Sequence, residues 1–174
     1  DVPKEEFNEQ WNLFINQSWT DDQNPLMGCW LEENTEALDL IAEAVKQPEF
    51  QIPYIRRTPE EPFRDYMRGA WRDTARSIAI SYKARANYRV GTSDIDGAID
   101  DVVACLTLAR HLQGQGTDLW LLAGLGCESV GYSIELGLSK EHPLTANQLQ
   151  RLLEAGDALP SRPDPHEFLF SVRL

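Results

Sequence analysis

Residues 63–116 read FRDYMRGAWRDTARSIAISYKARANYRVGTSDIDGAIDDVVACLTLARHLQGQG. In the first half, Phe63, Met67, Ala70, Trp71, Thr74, Ala75, Ile78, Tyr82, Ala86 and Val90 recur by threes and fours. That step lays an apolar stripe along one side of a helix. Gly91 can take left-handed backbone at the helix end, and Thr92, Ser93 and Asp94 offer side-chain caps to the next helix. The second half repeats the stripe through Ile95, Ala98, Ile99, Val102, Cys105, Leu106, Ala109 and Leu112, and Gln113-Gly114-Gln115-Gly116 ends it. The spacing predicts a helical hairpin.

Every seventh residue from Ala70 to Cys105 is small: Ala70, Ser77, Ala84, Gly91, Ala98 and Cys105. Small side chains let facing backbones approach closely. The hairpin thereby resembles a tetratricopeptide-type helix pair, with Ala84, Gly91, Ala98 and Cys105 near that repeat's small positions. One unit alone buries too little to stand by itself. The expectation is therefore one degenerate unit inside a larger all-α domain.

Outward from the hairpin, the rest of the chain also reads as helix. Pro3 to Gln17 carries Phe7, Trp11, Phe14 and Ile15 on one side, and Ser18 to Pro25 is a polar break. Leu26 to Lys46 forms a longer helix closed by Pro48, because the residue before a proline is pushed out of helical geometry. Residues 47–62 hold four prolines and predict an extended connector, in which Phe50, Ile52 and Tyr54 alternate like a short strand pinned to the helices. Thr117 or Asp118 caps a third core helix running to Leu138, apolar on most sides and therefore expected to be central. Thr145-Ala146-Asn147-Gln148 has capping-box form and opens a last helix ending near Leu159. A proline-rich tail, 160–174, follows. The fold class is all-α: one domain spanning 1–174, an antiparallel helical stack with tetratricopeptide-like packing, without the strand–helix rhythm of an α/β sheet.

A chain of 174 residues buries a core without staples. Its net charge of −12 opposes general binding to nucleic acid or anionic lipid. No apolar run reaches the roughly 18 residues of a spanning helix, so direct membrane insertion is not expected. The start at Asp1 reads as processed or truncated, with a signal or anchor expected upstream. The three cysteines, Cys29, Cys105 and Cys127, lack pairing or metal-type spacing and read as buried free thiols. A Cys105–Cys127 bridge is conceivable if their helices pack side by side.

An ordered set of segments carries a second resemblance: Trp19 through Leu26, Trp30-Leu31, Asn34, Ala37-Leu38, Leu40, Pro48, Pro53, Arg89-Val90-Gly91, Asp96-Gly97-Ala98, Asp101, Leu108-Ala109-Arg110 and Leu125-Gly126. Together these resemble a family of anchored or secreted, mostly helical proteins of planctomycete bacteria. What the resemblance implies is a helical fold and an extracytoplasmic or membrane-anchored location. It implies no chemistry.

Two groups of residues are candidates for function. Arg64, Arg68, Arg72 and Arg76 stand four apart, a ladder whose like charges repel by about 0.2–0.5 kcal/mol per pair. Residues 56–89 hold nine basic and four acidic side chains (+5), leaving the remaining 7 basic and 24 acidic at −17. The ladder is either clamped by acidic neighbours or forms an anion or acidic-peptide groove, with Tyr82 and Tyr88 on the contact side. Glu128 and Glu135, seven apart on the apolar third helix, must be paired, protonated or metal-bound if buried. Arg110 is a candidate partner, and His111 could complete a metal or acid/base site. Asp94-Ile95-Asp96-Gly97 imitates part of a calcium loop without the remaining ligands and reads as a cap. Gly124, Gly126, Gly131 and Gly137 read as sites of close helix packing. Trp19, in the polar break, is expected to be partly exposed, capping the core or anchoring a partner.

No serine or cysteine sits in a nucleophile motif, and no catalytic residue, metal or cofactor is predicted. The sequence thus favours a non-enzymatic interaction or scaffold module binding a protein or peptide. The alternative is a small-ligand or metal site, hydrolytic in type, around Glu128, Glu135 and His111.

Overall fold

The computed structural model describes Trp11, residues 14–52 and residues 63–164, the side chains of 63–72 excepted. Five α-helices run through them: α1 Pro25–Ala44, α2 Phe63–Gly91, α3 Ile95–Gln113, α4 Asp118–Glu141 and α5 Ala146–Asp157. No strand occurs among the described residues. Most of the expected first helix, most of the proline-rich connector and the end of the tail lie outside them.

Local chemistry sets the ends. Pro25 opens α1 behind Asn24, whose side chain accepts from the Met27 N–H at 3.1 Å. Asp94 caps α3 through the Gly97 N–H, which is the cap chemistry expected of the calcium-like stretch. Thr117 caps α4, and Thr145 with Gln148 closes a reciprocal capping box on α5.

The hub is α3, which touches α1, α2, α4 and α5. It is buried over most of its surface, at Ala98, Ile99, Val102, Cys105, Leu108, Ala109 and Leu112 among others, with Asp96 and Asp100 left exposed. This corrects the expectation that the third core helix is central: α4 packs on α2 and α3 along one side and leaves Leu122, Leu125 and Leu136 exposed. Two of its glycines serve close packing. A Cβ on Gly124 would stand 2.6 Å from the Ala109 carbonyl oxygen, and one on Gly131 2.6 Å from Leu106, whereas Gly126 and Gly137 face open space.

Trp19 also departs from expectation, being 1 % exposed. Its segment lies across the C-terminal half of α2. The indole N–H donates to the Ala84 carbonyl at 3.2 Å, and the ring packs on Phe14 and Tyr88. Asn87 reaches back to the Phe14 carbonyl at 2.8 Å. The crossing explains Gly91: any Cβ there would overlap the Trp19 backbone. Gly91 is therefore needed for space, and Ser93 takes the left-handed backbone (φ 65°) instead. The Phe50–Ile52 stretch forms no strand but is pinned, since Gln115 donates to the Phe50 carbonyl and accepts from the Ile52 N–H.

Candidate functional site

Three neighbourhoods collect the polar side chains that could do chemistry. The first joins α1, α2 and α3. Asp101, 0 % exposed, accepts from Nε and Nη2 of Arg85, at 3.0 and 2.6 Å, and pairs with Nη1 of Arg89 at 3.0 Å. Arg85 turns its Nη1 outward to Asp39 at 2.7 Å and the Thr35 carbonyl at 3.5 Å, and lies 5.4 Å from the Tyr82 ring centre. Burial pushes the Asp101 carboxyl up to about 6, with Arg85 and Arg89 pulling the other way, so it is ionised at neutral pH. A cleft of about 410 Å³ opens beside the cluster, lined in part by Asp39, Glu43, Lys46 and Asp100. The Arg85 donors are already spent on Asp101, Asp39 and a carbonyl, so this arrangement is a clamp across three helices.

The second neighbourhood centres on Glu128, 3 % exposed. It accepts from Arg162 at 2.8 Å, Gln113 at 2.8 Å and Tyr132 at 3.3 Å, and pairs with Arg110 at 2.9 Å. Burial works to raise its carboxyl, but the hydrogen bonds from Arg162 and Gln113 and the charges of Arg110 and Arg162 hold it below its ordinary range. Glu128 is thus a paired buried carboxylate, the arrangement its helical position demands.

Glu135 is half-buried at a cleft of about 310 Å³ between α3, α4 and α5 that Arg110, Tyr132, Leu149 and Leu153 also line. His111 has other neighbours again. Its Nε2 lies 2.8 Å from the Val45 carbonyl, which can only accept, so that nitrogen carries the proton. The ring stacks on Phe50 at 4.9 Å. Arg110 and Tyr132 thus neighbour both glutamates, whereas His111 contacts Val45 and Phe50, so the contacts of the described residues do not join all three into the expected site. Among the described residues no group of three or more His, Cys, Asp or Glu side chains is placed to hold a metal.

The expected contact side changes too. Tyr82 is 0 % exposed, its hydroxyl donating to the Leu38 carbonyl at 2.8 Å, so it belongs to the α1–α2 packing and cannot meet a partner. Tyr88 is half-buried and donates to Asp21. Arg76 is exposed beside a cleft of about 580 Å³ formed with Leu119, Leu122, Gly126 and Ser129. The side chains of Arg64, Arg68 and Arg72 lie outside the described residues. Of the cysteines, Cys105 and Cys127 are buried neighbours, the Cys105 thiol 3.7 Å from the Cys127 carbonyl, yet unbridged. Cys29 is exposed, against expectation.

What sequence reading missed is apolar. Eight large hydrophobic side chains are exposed among the described residues, and six of them belong to two helices: Leu122, Leu125, Tyr132 and Leu136 on α4, Leu149 and Leu153 on α5. The signal was in α5 itself, where Leu149, Leu152 and Leu153 are spaced for one face. No family model, curated protein or solved structure matches the chain. Among the described residues no helix is long and apolar enough to cross a membrane.

Proposed function

We propose that this chain is a non-enzymatic helical interaction module that binds a protein or peptide through the outer faces of α4 and α5. One observation carries the reading: six of the eight exposed large hydrophobics stand on those two helices, and four of them line the adjoining clefts. Monomeric proteins scatter such residues singly, and a concentration of them marks an interaction surface. The polar clusters support the same reading from the other direction. Arg85, Asp101 and Glu128 are each fully engaged with protein partners, which gives them structural work. The tetratricopeptide-like hairpin of α2 and α3 is the scaffold behind the surface in this reading.

Selection of peptides from a helical library, with the immobilised protein at nanomolar concentration, tests it. Binders are expected, and Leu136→Lys or Leu153→Lys should weaken them at least tenfold without lowering the melting temperature. A selection that yields no binders, or binders indifferent to both substitutions, refutes the proposal.

A further inference from the structure

On α4, Trp120, Gly124, Cys127, Gly131, Ile134 and Leu138 are all buried and follow steps of 4, 3, 4, 3 and 4 residues. That is the seam by which α4 packs on its own core. Two positions round, Leu122, Leu125, Ser129, Tyr132 and Leu136 repeat the steps 3, 4, 3 and 4 on the solvent side, with the four large side chains 43–64 % exposed. Alternating steps of 3 and 4 are the spacing by which one helix receives another. A helix needs a single seam to fold against its own domain, and α4 has two.

We infer that the outer seam of α4 binds the same seam of a second copy of this chain, antiparallel. This rests on the interaction-module reading and names its partner. Charge argues for a copy. Each chain carries −12, yet none of Leu122, Leu125, Ser129, Tyr132 and Leu136 is charged, and the two glutamates within that stretch stand off the seam, Glu128 buried on its arginines and Glu135 half-buried, so two like-charged molecules can meet there without carboxylates directly opposed. Charge also sets the direction. Exposed Asp118 stands at the N-terminal end of α4 and exposed Lys140 at its C-terminal end. A parallel pair sets Asp118 on Asp118 and aligns the helix dipoles, whereas a reversed pair brings Asp118 towards the turn holding Lys140 and opposes the dipoles. Size agrees. With the two-fold axis between Val130 and Gly131, Leu125 meets Leu136 of the second copy and small Ser129 meets its Tyr132.

Sedimentation equilibrium from about 1 to 300 µM tests the inference. One helix face buries less than the roughly 1,600 Å² of a standard interface, so a micromolar monomer–dimer equilibrium is expected. It should tighten between about 0.15 and 0.5 M NaCl as repulsion between the acidic chains is screened. Leu125→Lys and Leu136→Lys should each weaken it at least 30-fold, with helical circular dichroism unchanged. In a Cys29→Ser background, mixing Ser129→Cys and Tyr132→Cys chains should give more oxidised heterodimer than either homodimer. A chain monomeric at the highest concentration and salt, a dimer indifferent to both lysines, or a dominant Ser129→Cys homodimer overturns the inference. A monomer whose selected peptides still depend on Leu136 overturns self-association alone and leaves the module reading standing.

Discussion

Replacing Arg85 by Met keeps the side-chain stem and deletes the guanidinium that ties α2 to α1 and α3. Asp101, wholly buried, then loses the bonds from Nε and Nη2 and keeps only Arg89, whose side chain is 23 % exposed. Removing one partner of a buried pair costs about 3–5 kcal/mol, because the other charge stays out of water uncompensated. For a chain of this length that lowers the melting temperature by about 6–20 °C. The pH dependence is the sharper reading. Burial already raises the Asp101 carboxyl to about 6 with both arginines in contact, and without Arg85 it must rise further. A folded-state pKa above the unfolded one means that the native chain binds the extra proton, so stability falls as pH rises through that window. The deficit of Arg85→Met should therefore shrink as pH is lowered from about 8 to 5. Adding Asp101→Asn removes the stranded charge and should recover about 2 kcal/mol or more at pH 7.5, a coupling that a double-mutant cycle measures. Urea unfolding followed by circular dichroism reads the four proteins of the cycle, Asp101→Asn alone included. A deficit under about 1 kcal/mol, or one that does not change with pH, refutes the account of the cluster.

Three further outcomes follow from single sites. Glu128→Gln should cost about 1–3 kcal/mol at pH 7. Because the folded carboxyl sits below its ordinary range, that contribution is present above about pH 4.5 and lost on acidification, so the two unfolding curves should converge in acid. Gly124→Ala should destabilise through its clash with the Ala109 carbonyl, whereas Gly126→Ala, in open space, should stabilise the helix by up to about 1 kcal/mol in thermal melts. Native protein should react with a thiol reagent at Cys29 alone, since Cys105 and Cys127 are buried and burial raises both thiols, Cys127 to about 11; two more thiols should appear on unfolding.

The hairpin was legible because its signals are local. Stripe, caps and connecting turn all act within a few residues, and α2 ends at Gly91 and α3 begins at Ile95 much as spacing and cap chemistry dictate. Which helix occupies the middle was not legible, because hydrophobicity along a helix does not say where its neighbours stand. Helix α4 looks central by composition, yet α3, with Asp101, His111 and Gln113 among its buried residues, is the one that contacts all four of the others. Asp101 carried the missing signal: it stands three residues after Ala98 and four before Cys105, on the small-residue row, where a carboxylate requires a buried cation. Trp19 was misread for a related reason. A polar loop reads as exposed, but this loop crosses Ala84 and Gly91, whose small size the heptad row had shown without showing what fills the space.

The same limit explains why the candidate surface surfaced only in three dimensions. An apolar residue at helical spacing is evidence for burial against something, and sequence alone assigns that something to the chain's own core by default. On α4 both seams obey the rule, and only the positions of α2 and α3 show that one of them is occupied within the chain. The arginines invite the opposite error. A buried guanidinium reads as a ligand site until its donors are counted, and at Arg85 the donors end on Asp101, Asp39 and a carbonyl. In the Asp101 and Glu128 clusters, charge joins the helices to one another.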